Sequence, residues 1–221
     1  MFGKNPKRKF EIDSGDYLMV QDIFHTIQGE GSFVGVPAVF VRLGGCNLAC
    51  EFCDTEFENF SQIKVEDILF KIHDWLSSSP TKLIVITGGE PFRQNICRLV
   101  DILFADGFRV QIETNGTMFL PEIDSRVDII CSPKVVNGKY LKPREDLLAR
   151  ALALKFLISE RVVGYSTVPD WVSEFRGEVF VQPMDEYNED FNSGNRKLAV
   201  DIAMSYGYRL SIQTHKILDI P

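Results

Sequence analysis

Short apolar segments alternate along this chain with segments whose apolar residues recur at helical spacing, and this alternation limits the possible folds most strongly. The pattern predicts strands at residues 18–24, 38–43, 83–86, 109–113, 127–131, 154–158, 179–181 and 210–212. It predicts helices at residues 65–76, 96–105, 145–151, 168–175 and 196–206. Because parallel strands need a crossover connection that is usually a helix, we expect a mostly parallel sheet.

Polar or glycine residues follow several of these strands directly, as at 87–90, 113–115, 132–134, 182–183 and 213–215. In barrels and open parallel sheets the active site is built at the carboxyl ends of the strands. A complete eightfold barrel takes about 250 residues, and the chain contains too few pairs of strand and helix for one. We therefore expect a partial, open-sided parallel (β/α) barrel, formed by a single domain over 1–221 with a flexible basic tail at 1–15.

Charge and composition exclude several classes of protein. The formal net charge of -7 would repel a phosphate backbone, so no direct nucleic-acid partner is expected. No apolar run is long enough to cross a membrane, and no apolar stretch follows the basic N-terminal residues, so we expect neither a membrane partner nor secretion. The odd number of cysteines argues against a disulfide framework and favours a reducing, cytoplasmic location.

Three of the five cysteines, Cys46, Cys50 and Cys53, are crowded into one loop directly after the strand at 38–43. Thiolates are the usual ligands of iron-sulfur clusters and of zinc. A structural zinc site would normally need a fourth protein ligand, which the neighbouring sequence does not supply. The C-x3-C-x2-C spacing resembles the signature of the radical S-adenosylmethionine (SAM) superfamily, in which three cysteines hold a [4Fe-4S] cluster and SAM takes the fourth iron.

A second motif follows the strand at 83–86. The run Thr87-Gly88-Gly89-Glu90-Pro91 resembles the Gly-Gly-Glu motif of the same superfamily, which receives the amino group of SAM. Glycines let the backbone approach a ligand closely, while a carboxylate or strand-end carbonyl accepts from an ammonium group. By itself this tripeptide is typical of an ordinary turn, but after the cysteine triad it indicates a SAM site.

The chain also resembles one family within this superfamily, the 7-carboxy-7-deazaguanine synthases. The resemblance rests on runs that extend over nearly the whole chain: 26–31, 40–46, 53–55, 87–91, 113–117, 132–134 and the final Pro221. It implies conversion of 6-carboxy-5,6,7,8-tetrahydropterin to 7-carboxy-7-deazaguanine with loss of ammonia. It further implies a [4Fe-4S] cluster, SAM and Mg²⁺ as cofactors, a flavodoxin or ferredoxin as reductant, and a homodimer.

The resemblance assigns roles to individual residues. Those implied for SAM are Phe52, Cys53, Asp54, Gly88, Gly89, Glu90, Glu113, Asn115, Ser132, Pro133, Lys134 and Gln182. Those implied for the substrate are Ile27, Gln28, Gly29, Glu30, Arg42, Thr87, His215 and Pro221. Thr55 is implied as a Mg²⁺ ligand.

Chemistry supports some of these roles better than others. Ionised Glu30 can accept from the N-H groups of a pterin edge, and the planar fork of Arg42 suits a carboxylate. Without the resemblance, Glu30 would be interpreted as a solvated loop residue. His215 is equally well explained as a hydrogen-bonded histidine at a strand end, and Lys134 as a charge in a turn.

The C-terminal segment 214–221 is expected to close the substrate site. Its residues Ile217, Leu218 and Ile220 are expected to pack it down, so that the carboxylate of Pro221 points into the site. Most chain termini fray, so this expectation depends on the resemblance.

Two other functions remain as alternatives at this point. A glycyl-radical activating enzyme would carry the same cluster motif, but the loop at 28–31 and the terminal Pro221 suit a small heterocycle better than a large partner. A non-enzymatic iron-sulfur or zinc-binding protein would leave the glycine motif at 88–90 without a role. Cys97 and Cys131 fall in apolar patterns and are expected in the core.

Overall fold

The computed structural model describes residues 5–11, 13–53 and 55–221. Asp54, which was expected to contact SAM, lies outside the described residues. The strands are Tyr17–Ile27 (β1), Pro37–Leu43 (β2), Ser61–Lys64 (β3), Leu83–Gly88 (β4), Arg109–Thr114 (β5), Asp128–Cys131 (β6), Val135–Val136 (β7), Lys139–Tyr140 (β8), Ala151–Ile158 (β9), Glu178–Pro183 (β10) and Arg209–Leu210 (β11). The α-helices are Val65–Leu76 (α1), Cys97–Ala105 (α2), Glu145–Leu148 (α3), Glu189–Tyr206 (α4) and Thr214–Leu218 (α5).

Nine strands form one curved sheet in the order β11-β10-β9-β6-β5-β4-β2-β1-β3, and β7 and β8 form a separate hairpin. The neighbours from β2 to β11 are parallel, whereas β1 runs antiparallel to both β2 and β3. Within the described ranges, no strand pair joins the two edges of this sheet. The prediction of an open-sided parallel barrel is therefore confirmed, with an antiparallel edge that the sequence pattern did not indicate.

Most predicted elements are present, and the differences have local causes. The predicted helix at 168–175 is only a 3₁₀ helix, Asp170–Glu174, which begins after Pro169. Helix α4 begins at Glu189, seven residues earlier than predicted. The Asn188 side chain accepts from the backbone N-H of Phe191 and so caps the first turn of the helix. The predicted helix at 145–151 ends early, since β9 already begins at Ala151.

The alternation of side chains along each strand separates two environments. On the outer face, residues such as Val41, Ile86 and Ile112 pack with the helices in the main hydrophobic core. On the inner face, smaller apolar clusters form around Val85 and Phe180. Polar residues then occupy the next inward positions toward the carboxyl ends of the strands, namely Arg42, Thr87, Glu113, Lys155 and Gln182.

The loop after β1 bridges the open side of the sheet. The N-H of Gly31 donates to Oγ of Ser211 at 3.1 Å, and Ser32 Oγ donates to Glu178 of β10 at 2.9 Å. Phe33, in the same 3₁₀ turn, packs on the inner apolar cluster of Ala38, Leu83 and Val85. The loop therefore connects β1 with the far side of the sheet without a strand pair.

The described part of the basic N-terminal segment makes specific contacts. Lys7 forms a parallel bridge with Cys46, and the N-H of Arg8 donates to the carbonyl of Cys46 at 2.7 Å. The side chain of Arg8 pairs with Glu58, and Glu11 pairs with buried Arg93 at 2.5 Å. The flexibility expected of residues 1–15 stays a prediction, but Lys7 and Arg8 lie against the cysteine loop.

Among the described helices, none combines the length and apolar character needed to cross a lipid bilayer.

Candidate active site

A cavity of about 610 Å³ lies on the inner face of the sheet. This size is within the range of ligand pockets, about 300–1,000 Å³. The strand ends, the cysteine loop, the loop after β1 and the C-terminal segment all contribute to its wall. Of the residues implied by the resemblance and described in the structure, all line it except Glu90 and Pro133.

The three cysteines of the triad lie on one wall of this cavity, and all five cysteines are free. Burial raises the pKa of the Cys46 thiol to about 12 and also raises that of Cys50, although Lys134 opposes the second shift. In the described parts of the chain, no group of three His, Cys, Asp or Glu side chains is arranged to hold a single metal ion. Three thiols beside a ligand-sized cavity instead fit a cluster that leaves one iron open.

Hydrogen-bond donors surround the sulfur of Cys46. The N-H of Leu48 donates to Sγ at 3.4 Å, and Nδ2 of Asn115 donates to it at 3.8 Å. Two neighbours orient the Asn115 side chain. Its Nδ2 also donates to Oδ1 of Asn47 at 3.0 Å, and its Oδ1 accepts from the hydroxyl of Thr117 at 2.5 Å. Such N-H donors favour the thiolate form that an iron-sulfur cluster requires.

The glycines of the motif after β4 have a packing role. A Cβ on Gly88 would lie 2.0 Å from the carbonyl of Leu43, and one on Gly89 would lie 2.0 Å from the carbonyl of Gly45. The N-H of Gly89 and the N-H of Glu90 donate to these same two carbonyls, at 3.2 and 3.1 Å. The sequence suggested that the glycines allow a ligand to approach, but their immediate neighbour is the backbone leading into the cysteine loop.

Glu90, which the resemblance implies for SAM, has its carboxylate inside the protein, with 0% of the residue exposed. It accepts from the N-H of Phe92 at 3.1 Å, the hydroxyl of Thr114 at 2.7 Å and the N-H of Asn115 at 2.8 Å. Burial raises the pKa of Glu90 to about 7 against the effect of these donors. Glu90 thus joins the end of β4 to the end of β5, and its contact with SAM stays a prediction.

Glu30 is a cavity residue, but its environment differs from the solvated loop that its sequence position suggested. One carboxylate oxygen forms an ion pair with Lys155, and the other accepts from Nε2 of Gln213 at 2.8 Å. Burial alone would raise the pKa of Glu30, but Lys155, His215 and Gln213 together lower it well below its usual range. The carboxylate is therefore ionised and faces the cavity as a hydrogen-bond acceptor.

The C-terminal segment reaches the cavity, but apolar packing does not hold it there. Ile217 and Leu218 are 70% and 58% exposed, so the expectation that they anchor the segment was wrong. Polar contacts hold it instead: the N-H of Thr214 donates to the carbonyl of Gly29 at 3.1 Å, and Thr26 Oγ1 donates to O of Pro221 at 2.9 Å. A short exposed helix cannot bury enough apolar surface to dock by itself.

The remaining implied residues lie at separate points of the same wall. The guanidinium of Arg42 sits over the ring of Phe24, 5.4 Å from its centroid. Nζ of Lys134 donates to the carbonyl and hydroxyl of Ser132, at 2.7 and 2.8 Å, which fixes the turn after β6. Thr55 lies two positions after Cys53, and the carbonyl of Thr55 accepts from the Cys53 thiol at 3.6 Å.

Comparisons with known proteins identify this arrangement. The radical SAM superfamily profile matches residues 40–132, which contain both the cysteine triad and the glycine motif. The 7-carboxy-7-deazaguanine synthase of Rickettsia prowazekii is 52% identical over 225 residues, covering 100% of this chain and 96% of the relative. The chain belongs to the 7-carboxy-7-deazaguanine synthase family. Another member, from Rhodospirillum rubrum, is 40% identical with 100% of both chains covered.

A solved structure of the 7-carboxy-7-deazaguanine synthase family agrees in fold. The crystal structure of QueE from Escherichia coli superposes with a TM-score of 0.73 at 27% identity, covering 89% of this chain and 94% of that chain. The sequence-based identification of a radical SAM lyase of this family is confirmed. The two alternatives, a glycyl-radical activating enzyme and a non-enzymatic metal protein, are not favoured, because the family relatives cover the whole chain.

Several residues in or beside the cavity of this 7-carboxy-7-deazaguanine synthase family member were missed by sequence reasoning. Lys155 and Gln213 contact Glu30, and Tyr165 supports Phe52 edge-on at 5.0 Å between ring centroids. For Lys155 a signal was available, since it is the sole charge in the run Ala151–Ile158. A lysine is almost never buried unless it is paired, so a charge inside a buried strand predicts a partner.

Proposed function

We propose that this chain converts 6-carboxy-5,6,7,8-tetrahydropterin to 7-carboxy-7-deazaguanine with loss of ammonia, as a step of deazapurine or queuosine biosynthesis. One observation carries the proposal: the cysteine triad and the polar residues implied for the pterin line a single cavity. A reduced [4Fe-4S] cluster held by the three thiols would supply an electron to bound SAM and so provide the radical chemistry. The protein itself binds, orients and shields the reactants.

The polar side chains on the cavity wall complement the groups of the pterin, which carries a carboxylate and several N-H donors. Ionised Glu30 is an acceptor with two oxygens, each of which keeps capacity beyond its present contact. Arg42, which also lines the cavity, offers a planar donor fork for a carboxylate. His215 and Pro221 bring the C-terminal segment over the same space, which supports a role in excluding water.

The SAM contacts are part of the same proposal. Gly88 and Gly89 line the cavity beside the cysteine loop, and Glu113, Asn115, Ser132, Lys134 and Gln182 follow along the strand ends. Because the carboxyl ends of parallel strands meet at one rim, a single extended ligand can reach all of them.

The proposal also covers the metal ion, the reductant, the assembly state and the location of the protein. Thr55 and Glu56 supply oxygen atoms at the cavity, and Mg²⁺ keeps several waters and needs few protein ligands. A flavodoxin or ferredoxin is a reductant suited to an iron-sulfur cluster, and five free cysteines suit the cytoplasm. A homodimer is supported by exposed apolar side chains on α4, among them Met204 and Tyr206.

Anaerobic turnover tests the function. Reconstituted, reduced protein is incubated with SAM, Mg²⁺ and 6-carboxytetrahydropterin, and the products are separated by mass spectrometry. We expect 7-carboxy-7-deazaguanine and ammonia from the wild type and from Cys97→Ala, whose partly buried side chain packs against the core outside the cavity, but not from Cys46→Ala. Cleavage of SAM to 5'-deoxyadenosine without the deazaguanine product would overturn the proposed substrate.

A further inference from the structure

Lys155 lies in the middle of β9 and is only 5% exposed, although its strand is otherwise apolar. It faces the cavity on the inner side of the sheet, where it pairs in register with Phe180 of β10. A buried ammonium is costly unless it is paired, so its partners define its role.

Two carboxylates from distant parts of the chain meet at this ammonium. Glu30 comes from the loop after β1 and forms an ion pair with Lys155, while Oε2 of Glu113, from β5, lies 3.8 Å from Nζ. The family resemblance implies different tasks for these two carboxylates, Glu30 toward the pterin and Glu113 toward SAM. Lys155 therefore links the loop after β1 to β5 at the cavity wall.

Neutral amides fix both carboxylates in place. Oε1 of Glu113 accepts from Gln28 Nε2 at 3.0 Å and from Gln111 Nε2 at 2.9 Å. Oε1 of Gln28 in turn accepts from the N-H of Glu30 at 3.0 Å. The network thus closes from Glu30 through Lys155, Glu113 and Gln28 back to the backbone of Glu30.

We propose that Lys155 is a positioning residue that keeps Glu30 and Glu113 ionised and side by side on the cavity wall. Glu30 can then accept from the N-H groups of the pterin, and Glu113 from a donor on SAM. The identity of these ligands rests on the proposed function, whereas the electrostatic role of Lys155 does not.

The charge balance explains why one lysine matters. Without Lys155, two carboxylates would face each other on a poorly solvated wall, and like charges together with burial favour protonation. The groups that face Glu30 are Lys155 from β9, Gln213 from the segment before α5, His215 from α5 and, beyond the lysine, Glu113 from β5. Protonated Glu30 would lose acceptor capacity and would present a donor to a donor-rich ligand.

Ligand binding is the first test. The variants are Lys155→Met, Lys155→Arg and the control Lys139→Met, which removes an exposed lysine from β8. Affinity for 6-carboxytetrahydropterin is measured by calorimetry on cluster-loaded, SAM-bound protein without reductant, so that no turnover occurs. For Lys155→Met we expect binding about tenfold weaker at neutral pH, because a partner of a buried charge is lost.

The pH dependence separates positioning from a general structural defect. In Lys155→Met the loss of affinity should deepen as the pH falls from about 8 to about 6, as Glu30 takes up a proton. Lys155→Arg should recover most of the affinity, and Lys139→Met should match the wild type. Wild-type affinity in Lys155→Met, or a loss that does not change with pH, would overturn the proposal.

A double-mutant cycle tests the link without any ligand. Urea unfolding is compared for wild type, Lys155→Met, Glu30→Gln and the double variant over the same pH range. Loss of Lys155 should destabilise the protein more as the pH rises, and Glu30→Gln should suppress this dependence. Additive effects of the two substitutions would overturn the electrostatic role, whereas failure of the wild type to bind the pterin would overturn only the proposed function.

Discussion

The C-terminal helix α5 packs directly on Gly29: a Cβ at this position would lie 2.2 Å from Nδ1 and 3.0 Å from the backbone nitrogen of His215. The carbonyl of Gly29 also accepts from both the N-H and the hydroxyl of Thr214, each at 3.1 Å. The loop that carries Glu30 and the helix that carries His215 are therefore held together by backbone contact.

Substitution Gly29→Ala should displace α5 from the cavity. Because misplacement of a binding group by about 1 Å can cost about 100-fold in rate, we expect a loss of kcat/KM of that order with the cluster retained. Steady-state turnover and iron content measure the two effects. Val34→Ala, an exposed position in the same loop, serves as the control, and wild-type turnover by Gly29→Ala would contradict the close packing.

Removing the hydroxyl of Thr26 should loosen the end of the C-terminal segment, since this hydroxyl donates to Pro221. Thr26→Val keeps the shape of the side chain and removes one hydrogen bond worth about 1 kcal/mol. We expect a several-fold increase in KM for the pterin and faster amide exchange over residues 214–221. Thr167→Val, in an exposed bend, should change neither quantity. Unchanged exchange over that segment in Thr26→Val would argue against the contact.

Ionisation of Glu90 should reduce stability as the pH rises. Burial raises its pKa in the folded protein to about 7 from the usual value for a glutamate. The pKa of Glu90 is higher in the folded protein than in the unfolded chain. Its contribution to the unfolding free energy is therefore complete below the pKa of the unfolded chain, and it is lost as the pH rises toward 7. The effect amounts to at most about 3 kcal/mol.

The comparison variant for this prediction is Glu90→Gln, which cannot ionise. The wild type should lose its advantage in unfolding free energy over Glu90→Gln as the pH rises from about 5 to about 8. Urea denaturation across this range measures the difference. A constant difference would show that Glu90 does not titrate there.

Asn115 should raise the reduction potential of a bound cluster, because its Nδ2 donates to Sγ of Cys46 at 3.8 Å. Hydrogen bonds to cluster sulfurs stabilise the reduced, more negative state, so Asn115→Leu should lower the potential by an amount on the order of tens of millivolts. Redox titration followed by electron paramagnetic resonance measures the shift. The exposed Asn59 provides the control Asn59→Leu; equal potentials in the two variants would exclude this role of Asn115.

Local pattern was sufficient for much of the fold. The helix at 65–76 and the buried strands were predicted because apolar spacing reports directly on which face is buried. The antiparallel strand β3 was missed because its residues, Ser61–Lys64, are mostly exposed at the sheet edge and carry little pattern. Helix α4 was predicted too short, as residues such as Gly194 in its first half resemble a turn.

The candidate site was also predicted unevenly. Cys46, Arg42 and Thr87 were assigned to the cavity because they end strands or belong to a compact motif, and strand ends meet at one rim. Glu90 belongs to the same motif but turns inward to Thr114 and Asn115. A motif gives the position of a residue along the chain, whereas the direction of its side chain depends on neighbouring strands.

The sequence by itself determined the chemistry: the cysteine spacing, the glycine motif and the family follow from local order along the chain. Only the tertiary structure decided that Lys155 stands between Glu30 and Glu113, residues separated by more than eighty positions. The physical reason is the alternation of side chains in a curved sheet. Which inward positions of different strands meet depends on register and curvature, and these are set by contacts between residues far apart in sequence.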